Sequence, residues 1–172
     1  MKLEIGGGKY AVGKGFVNMD IDPRADIVHN LESRPWPIES NSVTEFYSSH
    51  CLEHLTFPIQ VLQEITRICA VGAHVVIRVP DSTSELSFVH DHKHCLSEAC
   101  MENTLIHFET DNWPVDGKRL KMVQINKRPC PIWFPRARAN PLFAAWSDHD
   151  IMTWIPRTCH ENEFVLRVEQ WK

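Results

Sequence analysis

Short apolar runs, each stopped by glycine or by proline beside aspartate, recur through the first half of this sequence and restrict what it can become. Lys2–Ile5 (KLEI) runs into Gly6-Gly7-Gly8, and Phe16–Ile21 (FVNMDI) alternates up to Asp22-Pro23, as strands ending in tight turns do. Asp26–Val28 predicts a third short strand, and Thr44–Ser48 a fourth after the turn-rich Glu39-Ser40-Asn41-Ser42. Ile59, Leu62, Ile65, Ile68 and Cys69 keep helical spacing between Pro58 and Gly72, which suit a helix start and stop. His74–Val79 (HVVIRV) then reads as a buried strand bounded by Pro80-Asp81. Strands alternating with helical stretches argue for a parallel sheet with crossover links. The first link is short: seven residues separate Gly8 from Phe16. They reach about 23 Å when extended, so a loop or a single helical turn is expected there.

The second half is less periodic. Ser97–Phe108 predicts a helix with Ser97 as N-cap, and Leu120–Asn126 a half-exposed strand. Pro129, Pro131 and Pro135 exclude regular structure around them. Asn140–Trp154 predicts one helix, capped by Asn140 with Pro141 in its first turn, and Phe164–Val168 a final strand.

At 172 residues, 43% apolar and 23% charged, the chain fits one globular domain over 1–172 and excludes a disordered or fibrous protein. No apolar run spans a bilayer and no charged flank precedes an apolar stretch at the start, so a cytoplasmic location without membrane contact is expected. The six cysteines form no CxxC pair and read as free thiols. Charge is uneven: residues 1–116 hold 8 basic and 17 acidic groups, whereas residues 117–147 hold 7 basic and none acidic.

Chemistry concentrates at the strand ends. Glu4 precedes the three glycines, and ligands of an open parallel sheet bind outside its carboxyl ends, where glycine lets them approach the backbone. Asp20 ends the second strand, and a carboxylate there can accept from both hydroxyls of a ribose.

Several further pieces follow in order: Gly15-Phe16-Val17-Asn18-Met19-Asp20-Ile21, His29-Asn30-Leu31, Pro35-Trp36-Pro37, Ser49-His50-Cys51-Leu52-Glu53-His54-Leu55 and Val76-Ile77-Arg78-Val79-Pro80. With Leu3–Gly8 in front, residues 2–81 resemble the class I S-adenosylmethionine-dependent methyltransferases, in particular small bacterial and phage members. His92-Lys93-His94 resembles a later segment of the same family. The resemblance implies an α/β, Rossmann-like, mostly parallel sheet with helices on both faces, a shortened first crossover and an antiparallel C-terminal strand. It implies a cofactor-binding half at 1–81 and an acceptor-binding half at 82–172.

The cofactor implied is S-adenosyl-L-methionine. By resemblance, Gly6, Gly7 and Gly8 border its methionine part and Glu4 ties the loop down. Asp20 holds the ribose, Ile21 touches the adenine, and Asn30 and Leu31 meet the adenine edge. Ser49 and His50 border the sulfonium. Tyr10 departs from the family pattern, standing where a third glycine is usual. Trp36 is expected as a lid over the adenine pocket. An imidazole is poised to take a proton near neutral pH, so His50, His54, His92 and His94 are the catalytic candidates, with His90 nearby.

His90-x-His92-x-His94-Cys95 also suits zinc, but no second ligand cluster accompanies it, and no metal is expected. The acceptor expected is an oxygen or nitrogen of a small metabolite, sugar or glycan precursor. The alternative acceptor is nucleic acid, gripped by Lys118, Arg119, Lys121, Lys127, Arg128, Arg136 and Arg138 near Trp133 and Phe134. A catalytically inactive binding protein on the same fold is the third reading. Oligomeric state is not constrained by the sequence.

Overall fold

The computed structural model describes residues 1–13, 15–110, 115–131, 133–154 and 159–171. Its strands are β1 (Lys2–Ile5), β2 (Val17–Asp20), β3 (Ile27–Val28), β4 (Val43–Ser49), β5 (Cys69–Pro80), β6 (Lys118–Pro129) and β7 (Cys159–Gln170). They form one seven-stranded sheet in the order β3-β2-β1-β4-β5-β7-β6. β1 to β5 pair in parallel, and β7 lies antiparallel between β5 and β6. This is the expected Rossmann-like, mostly parallel sheet with an antiparallel last strand. The first crossover is short, with a 3-10 turn over Gly8–Tyr10.

The helices are α1 (Pro58–Ile68), α2 (Glu98–Thr110), α3 (Trp133–Arg138) and α4 (Asp148–Trp154). Two expectations are corrected here. Regular structure reaches two of the three prolines expected to exclude it: Pro129 ends β6 at the sheet edge, and α3 forms across Pro135, which falls in its first turn, where a missing N–H costs nothing. The single helix expected over Asn140–Trp154 is two pieces. Asn140 Oδ1 accepts from Leu142 N at 3.0 Å and caps a 3-10 turn over Pro141–Phe143. A new start follows: Ser147 Oγ accepts from Asp150 N at 3.1 Å while Asp150 Oδ2 accepts from Ser147 N at 3.0 Å. That reciprocal pair is a capping box, and it begins α4.

One cluster joins Leu3, Ile5, Phe46, Val75, Ile77, Phe164 and Leu166 of the sheet to Val61, Leu62 and Ile65 of α1 and to Met101 and Leu105 of α2. Both helices therefore cover the same face, which corrects the expectation of helices on both faces of the sheet. Side chains alternate along a strand, and the intervening residues give the other face charged groups flanking a half-buried row of Tyr47, Val76 and Val165. Lys2 pairs with Glu45 at 2.8 Å, Arg78 with Glu163 at 2.5 Å, and Arg78 donates to Tyr47 Oη at 2.9 Å. With a 3-10 turn as its first crossover, that side of the sheet meets water through ion pairs. No helix among the described residues is long and apolar enough to cross a membrane.

Candidate active site

A cavity of about 460 Å³ opens at the carboxyl ends of the parallel strands. It lies where β1 sits between β2 and β4 and the strand order reverses, the position at which open α/β sheets bind ligands. Gly6 lines it after β1, Asp20 and Ile21 at the end of β2, Asn30 and Leu31 after β3, and His50 and His54 after β4. Seven predicted residues, distant in sequence, thus line one cavity. Glu4, Gly7, Gly8, Ser49, His92 and His94 are outside that lining, whereas Glu32, Cys51 and Lys93, which the sequence reading did not select, are within it.

The loop after β1 is shaped by contacts that leave no room for side chains. Gly6 has φ +69°, and a Cβ there would overlap the Cys51 side chain. A Cβ on Gly7 would lie 2.8 Å from Asn18 Oδ1 and 3.0 Å from Glu4 Cδ. Glu4 is buried, and its Oε2 accepts from Val12 N at 2.6 Å. Burial pushes this carboxyl above its ordinary value and the Val12 N–H opposes it. Glu4 is thus the tie that holds the loop.

Gly8 N donates to Asp20 Oδ2 at 2.8 Å, and Asp22 N donates to Asp20 Oδ1 at 2.8 Å. Each Asp20 oxygen is fixed by one backbone donor and keeps further acceptor capacity. Ile21 beside it is 72% exposed, an apolar surface at the cavity rim. Tyr10 is 82% exposed and does not line the cavity. Asn30 Oδ1 accepts from Glu32 N at 3.0 Å, closing a local turn. Trp36 is not a lid. It is 2% exposed, and its Nε1 donates to Leu31 O at 2.9 Å beneath the cavity wall; a buried indole N–H needs such a partner.

The histidines separate into distinct settings. His50 has φ +51° and donates its N–H to Arg78 O at 3.0 Å. Its Nε2 lies 2.9 Å from Glu161 Oε2 and its Nδ1 3.3 Å from Glu53 Oε1. Glu161, and then Glu53, raise the imidazole to about 9, so His50 is an imidazolium near neutral pH. His54 and His92 meet edge to face with ring centres 4.6 Å apart. His94 turns to Thr56 O at 3.2 Å and lines a second cavity beside α1 and α2. The run His90, His92, His94 and Cys95 is therefore not gathered as one ligand set. Glu161 carries no local signal, because 111 residues separate it from His50.

The basic segment is largely engaged within the fold. Lys118 is 3% exposed and donates to Asn41 Oδ1, Arg67 O and Cys69 O at 2.6, 2.9 and 2.8 Å. Lys127 lies 3.7 Å from Asp81 and 3.2 Å from Glu98, and Arg128 lies 3.0 Å from Glu161. Arg119 and Lys121 both reach Glu169, and Arg138 reaches Asp148. Phe134 and Arg136 fall on α3; the side chain of Trp133 lies outside the described residues.

No known family's sequence profile matches the chain, and no curated protein matches it in sequence. Solved structures do match. A SAM-dependent methyltransferase from Archaeoglobus fulgidus superposes with a TM-score of 0.65 at 16% identity, over 96% of this chain and 85% of that one. The plantazolicin methyltransferase BpumL, solved with SAH, matches at a TM-score of 0.56 with 14% identity, over 96% of this chain and 75% of that one. The [4+2]-cyclase SpnF matches at 0.61 and 12% identity, over 99% and 75%. The chain therefore has the Rossmann-like fold that these methyltransferases share.

Proposed function

We propose that the chain is an S-adenosylmethionine-dependent methyltransferase whose acceptor is an oxygen or nitrogen of a small molecule, with residues 1–81 as its cofactor half and 82–172 as its acceptor half. The observation that carries this reading is the cavity at the strand-order reversal, with bare Gly6 backbone, the fixed Asp20 carboxylate and the apolar Ile21 on one wall. Those groups fit an adenosyl sulfonium: a bare backbone for the methionine part, an acceptor for the ribose hydroxyls, an apolar face for the adenine. When bound, the cofactor supplies a methyl already activated by its sulfonium. Asp20 would orient the ribose, Asn30 and Leu31 would meet the adenine edge, and Ser49 and His50 would border the reacting side. His50 and His54, on the cavity wall, would align the acceptor.

The SAH-bound relative supports this cofactor, while the cyclase on the same fold shows why chemistry must be read from the site. A small acceptor is favoured over nucleic acid because Lys118, Lys127 and Arg128 are spent on internal partners. Calorimetry with S-adenosylmethionine and S-adenosylhomocysteine tests the reading. Both should bind the folded chain, and Asp20→Ala should weaken binding by about 1–3 kcal/mol by leaving ribose hydroxyls unpaired. A folded native chain that binds neither compound would overturn it.

A further inference from the structure

Behind His54, three side chains converge without satisfying one another. One ligand-capable atom from each of Glu53, His54 and His92 lies within 4.8 Å of the others. Glu53 is 1% exposed, and neither of its carboxylate oxygens accepts a hydrogen bond; His92 Nδ1 is also buried and without a partner. His50 Nδ1, 3.3 Å from Glu53 Oε1, offsets charge but is not aligned as a hydrogen bond. The His50 imidazolium balances the Glu53 charge from one side, yet both carboxylate oxygens keep lone pairs that no hydrogen bond uses and that a coordinating cation would satisfy.

The surrounding contacts prepare the two imidazoles. His54 Nδ1 lies 3.3 Å from Asp91 O. A carbonyl only accepts, so Nδ1 carries a proton, with Asp91 Oδ2 also 3.5 Å away, and Nε2 is the nitrogen left to offer a lone pair to a metal, the arrangement common to metal-binding histidines. The N–H groups of Lys93 and His94 both donate to Glu53 O, at 2.8 and 3.1 Å, and hold the His92 segment against Glu53.

We propose that Glu53, His54 and His92 bind a divalent first-row transition-metal ion of the zinc type. Two imidazoles and one carboxylate suit such an ion, whereas magnesium and calcium favour oxygen ligands throughout. A tetrahedral ion with bonds of about 2.1 Å sets its ligands about 3.4 Å apart, so groups lying within 4.8 Å of one another close by at most about 1.4 Å on binding. Three protein ligands leave a position open. His54 also lines the cavity, and an acceptor hydroxyl or amine coordinated there would lose its proton more readily. That use rests on the methyl-transfer reading; the metal site itself does not. It departs from the expectation of a metal-free chain and takes only His92 from the His90–Cys95 run.

Titration of the full cofactor-free chain with Zn²⁺ by calorimetry, and with Co²⁺ by visible absorption, tests the site near neutral pH. One ion per chain should bind, with a four-coordinate Co²⁺ spectrum lacking thiolate absorption. Glu53→Gln and His92→Gln should each weaken binding by about tenfold or more, while His90→Gln and Cys95→Ser leave it unchanged. Should Glu53→Gln not fold, the partly exposed His92 position and the Co²⁺ spectrum still decide. No stoichiometric binding, affinity indifferent to both substitutions, or a thiolate spectrum would each overturn the proposal. S-adenosylhomocysteine is titrated separately: its failure to bind while Zn²⁺ binds removes the cofactor reading alone, and the converse removes the metal site alone.

Discussion

Gly6 shows how much a single absent carbon does here. Its left-handed φ and the Cys51 side chain facing it exclude a Cβ twice over. Gly6→Ala should therefore destabilise the fold by about 1–3 kcal/mol, as overpacking typically does, and should weaken S-adenosylhomocysteine binding by displacing the loop. Urea denaturation beside calorimetry measures both, and a variant with wild-type stability would show that the loop is looser than its contacts imply. At this scale the sequence was most legible where a residue acts beside its own strand end. Gly6, Asp20, Ile21 and His50 are of that kind, and all reach the cavity. Glu161 and Lys93 were not legible, because their places depend on strand pairing and on a loop meeting Glu53.

Among the elements, β5, β6 and β7 extend well beyond the apolar runs that predicted them. Each spans 12 residues. Their outer-face residues include charged ones such as Arg78, Lys121 and Glu163, and their ends carry little apolar periodicity, so the readable pattern covers only the middle. Lys118 illustrates a related limit. It read as one of a basic run, yet it closes the end of α1 by donating to Arg67 O and Cys69 O, where unpaired helix carbonyls favour a cation. Burial pushes its ammonium below the ordinary lysine range. Lys118→Met should cost about 1–3 kcal/mol by stranding those carbonyls. An unchanged urea midpoint would remove this capping role.

For the molecule as a whole, acid should act through a few paired carboxylates. Burial would raise Glu64, but Arg67 at 2.7 Å and the Trp36 N–H hold it low. His50 lowers Glu161, and Asn126 and Arg78 lower Glu163 against its burial. All three titrate lower folded than unfolded. Their stabilisation is thus complete above the ordinary value of 4.5 and is lost as pH falls through the folded values. Glu4, raised by burial, works in the opposite sense and offsets part of the loss. Thermal melts across pH should show the melting temperature dropping below about pH 4.5, and Glu64→Gln should flatten part of that drop. A melting temperature independent of pH in this range would refute the pairing. The position of β7 carries a consequence for biogenesis. Because β7 follows both β5 and β6 in the chain yet is inserted between them, a nascent chain still lacking Cys159–Gln170 holds β6 without its sheet neighbour. The sheet can be completed only after translation has delivered that strand, so the emerging polypeptide must keep an open seam until then.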